Sequence, residues 1–148
     1  HISFDVGNFL VISRLLEGDF LDYKSAIPDG AAVTVIADTK ALIDAVDRIS
    51  LLITDRLKSP VRCTFEENKA FLRCTTAIGR ASDVVDCSIS GGGVEVGFNN
   101  KYFLDAMRAV DSDQVKIELG TPKTPIKILP MEGDSFLFLV VPVILKAE

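Results

Sequence analysis

The sequence contains almost no histidine, and the single one is His1, at its first position. Serine and cysteine nucleophiles need a neighbouring base, most often histidine, so the chain lacks the usual nucleophilic catalytic set. The residue spacings of a zinc protease, a P-loop and an EF-hand are also missing. No helical pattern directly follows Gly91-Gly92-Gly93 to aim backbone N–H groups at a phosphate. Enzymatic activity, a cofactor and a metal site are therefore not expected.

Cysteines and long apolar runs are also scarce. Cys63, Cys74 and Cys87 cannot all pair with one another, and none lies in a CxxC or Cys/His cluster. This pattern favours small buried thiols in a reducing cytoplasm. The longest apolar run, FLFLVVPVIL, is shorter than the roughly 18–20 residues of a membrane span and contains Pro142, so it predicts a buried strand. No secretory signal pattern precedes the first predicted strand.

Positive charge is in deficit, since 16 lysines and arginines stand against 21 acids and give a net charge of −5. Wrapping of nucleic acid requires a local excess of lysine and arginine, so indiscriminate binding is not expected. An acidic protein can still present one basic face, because the distribution of charge matters more than its total.

The chain starts with a predicted hairpin and a connector. Residues 1–16 are predicted to form two strands joined at Gly7-Asn8, since glycine and asparagine tolerate the positive φ of a tight turn. An isolated hairpin is marginal in water, so it should pack on another part of a protein. Residues 17–30 carry two glycines, a proline and four acids, which is typical of a connector.

A strand, an amphipathic helix and three more strands follow. Leu42, Val46, Ile49 and Ile53 recur at helical spacing and predict one apolar stripe, with Asp38 or Thr39 as the N-cap. The opposite, polar side of this helix carries an unexpected Leu51. The strands are predicted at 31–37 before the helix and at 61–67, 70–76 and 82–90 after it.

The same order recurs after the glycine run. A strand at 94–98 leads to a helix that Asn99 or Asn100 caps, with an apolar stripe of Phe103, Ala106, Met107 and Val110. QVKIELG, PIKILPM and SFLFLVVPVIL complete a second set of three strands. A β-α-β-β-β unit used twice predicts an α+β fold with two helices packed on antiparallel sheet, and indicates a scaffold.

Three segments in this order resemble the bacterial DNA polymerase III beta subunit family, the sliding clamps that hold the polymerase on DNA. SRLLEGDFLDYKSAIP resembles the junction of the second and third clamp domains, GFNNKYFLDAM the second helix of the third domain, and FLVVPVIL the C-terminal strand. The resemblance implies a DNA-clamp fold and a C-terminal fragment. Residues 1–23 would be the terminal hairpin of the preceding domain and its linker, and residues 24–148 the third domain.

The resemblance also implies a groove for short peptide motifs of the polymerase alpha subunit, the clamp loader and repair proteins. An apolar trough with a few polar groups suits an extended peptide with hydrophobic anchors. Most of the preceding domain, which forms the other wall in this family, is missing, so weak peptide affinity is expected. The matching positions lie in the connector (Leu21, Ser25, Ala26), after the first helix (Leu57), at the second helix start (Asn99, Tyr102), in a late strand (Lys123, Pro125) and near the C-terminal end (Leu139, Val140, Val141, Pro142, Val143, Ile144).

Two further surfaces are implied by the same family. Clamps are homodimeric rings in the bacterial cytoplasm, with helices facing duplex DNA and contacting phosphates without sequence preference. The implied DNA-facing residues are Lys40, Arg48, Lys101 and Arg108, and the implied ring contact comprises Leu51, Leu52, Asp83 and Asp86.

Plainer explanations compete with each of these roles. Asn99 is accounted for as a helix cap alone, and Asp44, four residues from both Lys40 and Arg48, predicts ordinary helix-surface ion pairs. The alternative function is a stand-alone α+β interaction domain that dimerises and has no role with DNA. An enzyme that uses carboxylates such as Glu66-Glu67 is a third, less favoured hypothesis.

Overall fold

The computed structural model describes residues 1–54 and 59–145, and it begins with a small two-stranded sheet. Strands β1 (Ile2–Val6) and β2 (Phe9–Ser13) pair antiparallel, and Gly7 takes a φ of 69° in the turn between them. The predicted hairpin is therefore confirmed. Every residue of both strands is exposed, so no described part of the chain covers either face of this sheet. The connector contains a short 3₁₀ turn at Tyr23–Ala26.

The remaining elements follow the predicted order of β-α-β-β-β, used twice. The first unit comprises β3 (Val33–Asp38), α1 (Thr39–Ser50), β4 (Val61–Glu66), β5 (Lys69–Thr76) and β6 (Gly79–Gly91). The second comprises β7 (Val94–Phe98), α2 (Asn100–Arg108), β8 (Gln114–Leu119), β9 (Ile126–Leu129) and β10 (Phe138–Val140). This confirms the predicted α+β class.

All eight later strands form one antiparallel sheet in the order β10-β9-β8-β3-β6-β5-β4-β7. The first strand of each unit pairs with a strand of the other unit. β3 of the first unit pairs with β8 of the second, and β7 of the second pairs with β4 of the first. The two units therefore share one sheet. Beyond β10 the chain bridges to β7 through Val143 and Gly97, so the segment after β10 links the two outer strands of the sheet.

Both helices start at side-chain caps and bury one apolar stripe. Asp38, rather than Thr39, caps α1, because its Oδ1 accepts a hydrogen bond from the Ala41 backbone N–H at 2.7 Å. Asn99, rather than Asn100, caps α2. The predicted stripes are confirmed within the helices, where Leu42, Val46, Ile49, Phe103 and Met107 are buried and Ala106 is partly buried. The prediction was wrong for Ile53 and Val110, which pack against the core but lie beyond the ends of α1 and α2. Each fully buried side chain of this size contributes about 1.5–3 kcal/mol.

Two late strands are shorter than predicted. β10 spans only Phe138–Val140, because the chain leaves the β9 ladder before Pro142, which has no backbone N–H to donate. β9 begins at Ile126, so Lys123 and Pro125 lie in the turn before it and not in a strand.

The three cysteines are unpaired thiols inside the sheet. Burial raises the pKa of the Cys63 and Cys74 thiols, and it raises the pKa of Cys87 to about 11. All three therefore stay protonated near neutral pH, where a thiol is a poor nucleophile and a poor metal ligand.

Residues 1–54 and 59–145 contain no group of three or more His, Cys, Asp or Glu side chains arranged to hold a metal ion. Neither described helix is long and apolar enough to cross a membrane.

Candidate functional site

The segment that follows β10 lies across β7 and is held there by its backbone. The Val143 N–H donates to the Gly97 carbonyl oxygen at 2.7 Å. A Cβ on Gly97 would lie 2.8 Å from the Val143 carbonyl oxygen and would also collide with the Leu145 side chain. Only glycine therefore lets this segment, here called the tail (residues 141–145), approach β7 so closely.

A cavity of about 400 Å³, here called the groove cavity, opens between the tail and the start of α2. The structure brings together three of the predicted groove residues here, Asn99, Tyr102 and Val143. Thr54 and Ser59 line the cavity on the side of α1. Leu57, also predicted for the groove, lies outside the described residues.

The α2 side of the groove cavity is fixed by hydrogen bonds. Asn99 Oδ1 accepts from the backbone N–H groups of Lys101 at 2.9 Å and Tyr102 at 3.3 Å. Asn100 Nδ2 donates to Ser50 Oγ at 2.9 Å and so ties the start of α2 to the end of α1. Tyr102 remains 67% exposed, so its ring is free to cover a ligand.

Other predicted groove residues lie around this cavity without lining it. Val140 is 3% exposed and belongs to the core, whereas Val141 and Ile144 are 71% and 72% exposed. Leu139 and Pro142 are half-buried on either side of Val140 and Val141. Pro125 is half-buried beside Ile126, the partner of Val140, and Lys123 is exposed in the same turn. Leu21, Ser25 and Ala26 are exposed in the connector.

Sequence reasoning missed several residues that line the groove cavity. Pro60, Ile53 and Thr54 belong to its walls, and so does Asn100, for which the sequence predicts only a capping role. Pro60 directly precedes β4, and its place beside Val143 depends on the pairing of β4 with β7. No local sequence pattern indicates the pairing of β4 with β7.

A larger cavity of about 860 Å³, here called the arginine cavity, adjoins the first one. Pro60 and Val143 line both cavities. Arg62, Arg73 and Arg80 line the larger cavity from β4, β5 and β6, and Ile144 and Leu145 line it from the tail. Its three arginines give it more positive charge than the groove cavity has around Asn99, Lys101 and Tyr102.

Ion pairs engage Lys40, Arg48 and Arg108, which are predicted to face DNA. Lys40 pairs with Asp44 as the competing explanation predicted, and Arg108 contacts both carboxylate oxygens of Asp47 at 2.8 Å. Arg48 pairs with Asp83 on β6 at 2.7 Å rather than with Asp44. Lys101, also predicted to face DNA, is exposed at the start of α2 and lines the groove cavity.

The hydrogen bond from Arg48 holds the pKa of the Asp83 carboxyl below its usual value. A residue predicted to face DNA and one predicted for the ring contact thus form a single ion pair. Its two charges largely cancel, so neither group is a free contact for a phosphate or a partner chain.

The residues predicted for the ring contact are only partly brought together. Leu51 follows the last residue of α1 and is 82% exposed, and Leu52 beside it is half-buried. Asp83 and Asp86 are three residues apart on β6, so they project from opposite faces of the strand. Asp83 faces α1, whereas Asp86 is exposed opposite Lys69.

Comparison with known proteins gives one consistent match. Residues 24–144 match the family model described as DNA polymerase III beta subunit, C-terminal domain. The chain is 31% identical over 144 residues to a beta sliding clamp of Staphylococcus aureus and 30% identical to one of Staphylococcus epidermidis. Each alignment covers 96% of this chain and 38% of the relative, so the chain spans well under half the length of these curated relatives.

Solved structures agree with the sequence match. A sliding clamp of Bartonella birtlesii bound to griselimycin superposes with a TM-score of 0.91 at 28% identity, over 97% of this chain and 38% of that one. A DNA polymerase sliding clamp of Bacillus subtilis gives 0.92 at 25% identity, over 97% and 39%.

Proposed function

Because the chain belongs to the family defined by the C-terminal domain of the DNA polymerase III beta subunit, we propose that it is part of a replicative sliding clamp. In this role it is a non-catalytic processivity factor that helps to form a ring around duplex DNA and docks the proteins that work there. The observation that carries the docking role is the groove cavity, where Asn99, Tyr102 and Val143 meet from a helix start and the tail.

The walls of the groove cavity suit an extended peptide with apolar anchors. Ile53, Pro60 and Val143 offer apolar contacts, and Tyr102 can close over a bound side chain. Asn99 and Thr54 add polar groups that can orient a peptide backbone. The partners expected in this role are the DNA polymerase III alpha subunit, the clamp loader and repair proteins that carry such motifs.

The domain boundary proposed at residue 23 fits the exposure of the hairpin. Phe4, Phe9 and Ile12 are 52–74% exposed, although such side chains normally pack against a core. A preceding clamp domain would cover them and would bring a second wall towards Leu21, Ser25 and Ala26. Without that wall the 148-residue chain should bind peptides weakly.

DNA contact is proposed only for a complete ring. Lys40, Arg48 and Arg108 already face carboxylates, so a single copy offers little free positive charge to phosphates. The exposed Leu51 is the apolar contact proposed to close the ring as a homodimer. Three unpaired thiols fit a reducing bacterial cytoplasm as the site of action.

NMR titration of the ¹⁵N-labelled chain with a short, uncharged, apolar clamp-binding peptide tests the docking role. The proposal expects the largest shifts at Thr54, Asn99, Tyr102 and Val143, and none with a scrambled peptide. Shifts confined to residues 1–16 would instead favour the alternative interaction domain, because the exposed hairpin would then be the binding surface. An absence of shifts at millimolar peptide would refute the docking role.

A further inference from the structure

Three arginines share one outer face of the sheet beside the tail. Arg62 on β4 lies directly opposite Arg73 on β5, and Arg80 on β6 lies opposite Thr75, two residues beyond Arg73. Residues two apart in a strand project from the same face, so the three side chains converge on the arginine cavity. The other face of these strands carries buried Cys63, Leu72 and Cys74.

This face concentrates positive charge on an otherwise acidic chain. Like charges placed directly opposite each other across two strands are unfavourable, unless an anion lies between them. The Glu95 carboxylate partly supplies this negative charge, since its oxygens lie 2.9 Å from a guanidinium nitrogen of Arg62 and 3.8 Å from one of Arg73. Arg73 is still 58% exposed, and Arg80 is exposed with no ion pair among the described residues.

The arginine cavity adjoins the groove cavity. Pro60 and Val143 form part of both walls, so a chain lying in one cavity passes over these two residues into the other. We propose that the arginine cavity binds the carboxylates of an acidic segment that flanks the apolar motif of a docked peptide. This inference rests on the proposed docking role and names the chemistry of the partner.

Arginine chemistry supports a carboxylate as the ligand. A guanidinium presents a rigid fork of N–H donors that matches two carboxylate oxygens, and such charge-assisted pairs are stronger than neutral hydrogen bonds. Phosphate oxygens can accept hydrogen bonds from a guanidinium in the same way. A peptide is favoured over a nucleic acid because the arginine cavity shares Pro60 and Val143 with the groove cavity.

The test compares four fluorescent peptides that share one uncharged apolar motif. Two of them carry three glutamates, one at the N-terminal and one at the C-terminal end of the motif, and the other two carry three glutamines at the same positions. Their dissociation constants are measured for the 148-residue chain, for the variant R73Q/R80Q, and for the control variant R14Q/K69Q. Both double variants lose two exposed positive charges, but Arg14 and Lys69 lie away from both cavities.

At one of the two ends, the glutamate peptide should bind about three- to tenfold more tightly than the glutamine peptide. The advantage should persist in R14Q/K69Q, fall below about twofold in R73Q/R80Q, and shrink as salt rises from about 0.1 M to about 1 M.

Equal affinities of the two peptides at both ends, or an advantage that survives in R73Q/R80Q, would overturn the inference while leaving the docking role intact. The inference would also fail if duplex DNA, and not the glutamates, shifted the NMR signals of Arg73 and Arg80. If none of the four peptides bound, the docking role and this inference would fall together.

Discussion

At the residue scale, Asn99 serves two purposes, since it caps α2 and lines the groove cavity. Replacing Asn99 by alanine leaves the N–H groups of Lys101 and Tyr102 without their acceptor and should lower the free energy of unfolding by about 1 kcal/mol. N99D keeps a capping oxygen and should stay within about 0.5 kcal/mol of the parent. Urea denaturation measures both values. Equal stability of the parent and N99A would show that the cap is dispensable.

The Arg48–Asp83 pair gives a prediction about pH. The hydrogen bond from Arg48 lowers the pKa of Asp83 in the folded chain below its usual 3.8. A depressed carboxyl pKa stabilises the fold above the unfolded pKa, and the effect is lost as the pH falls through the folded value. R48Q should therefore raise the pKa of Asp83 and reduce stability at about pH 6, and this reduction should disappear as the pH falls through the folded pKa of Asp83.

Carboxyl ¹³C titration by NMR measures the pKa of Asp83 directly. R108Q is the matched control, because Arg108 pairs with Asp47 instead. An Asp83 pKa that is unchanged in R48Q, or that rises equally in R108Q, would contradict the assigned cause.

At the element scale, the tail depends on one glycine. G97A should push the tail off β7, because the new methyl would overlap the Val143 carbonyl oxygen. The Val143 amide, bonded to the Gly97 carbonyl oxygen, should then lose its protection from hydrogen exchange. G92A is the control, since a Cβ at Gly92 meets nothing within 4 Å. Retained protection of Val143 in G97A would mean that the tail is held by other contacts.

Local patterns predicted most of the elements because those elements are strongly periodic. Leu42, Val46 and Ile49 sit on one face at helical spacing, and alternation along β4 and β5 indicated which residues are buried. The end of β10 was predicted too far along the chain, since its limit is set by the partner β9 and by the tail's contact with Gly97. Such long-range pairings leave no local signal.

At the scale of the whole molecule, the hairpin and the rest of the chain should be energetically independent. Every residue from 1 to 26 is exposed, so the hairpin buries little against the eight-stranded sheet. Deleting residues 1–16 should therefore leave the thermal midpoint of the main transition within about 2 °C, and should reduce aggregation. Differential scanning calorimetry measures the midpoint. A fall of about 8 °C or more would show that the hairpin is part of the same cooperative unit.

The site could be predicted from the sequence only in part, because it is assembled from distant segments. The resemblance to clamps indicated Asn99, Tyr102 and Val143, which the fold brings together. It did not indicate that Arg48 would pair with Asp83, since the i,i+4 rule favoured Asp44 and the packing of α1 against β6 decided otherwise. The convergence of the three arginines could not be predicted from the sequence either, because it depends on the register of β4, β5 and β6.

The central claim is that the groove cavity docks an apolar peptide, and the affinity of one uncharged motif peptide for matched variants tests it most directly. Tyr102 and Phe9 are exposed aromatic residues, 67% and 74% respectively, but only Tyr102 lines the cavity. Fluorescence anisotropy should give a dissociation constant about five- to tenfold weaker for Y102A, a loss of roughly 1 kcal/mol or more, and an unchanged value for F9A. Equal affinity of Y102A and the parent, or weakening by F9A alone, would contradict the claim.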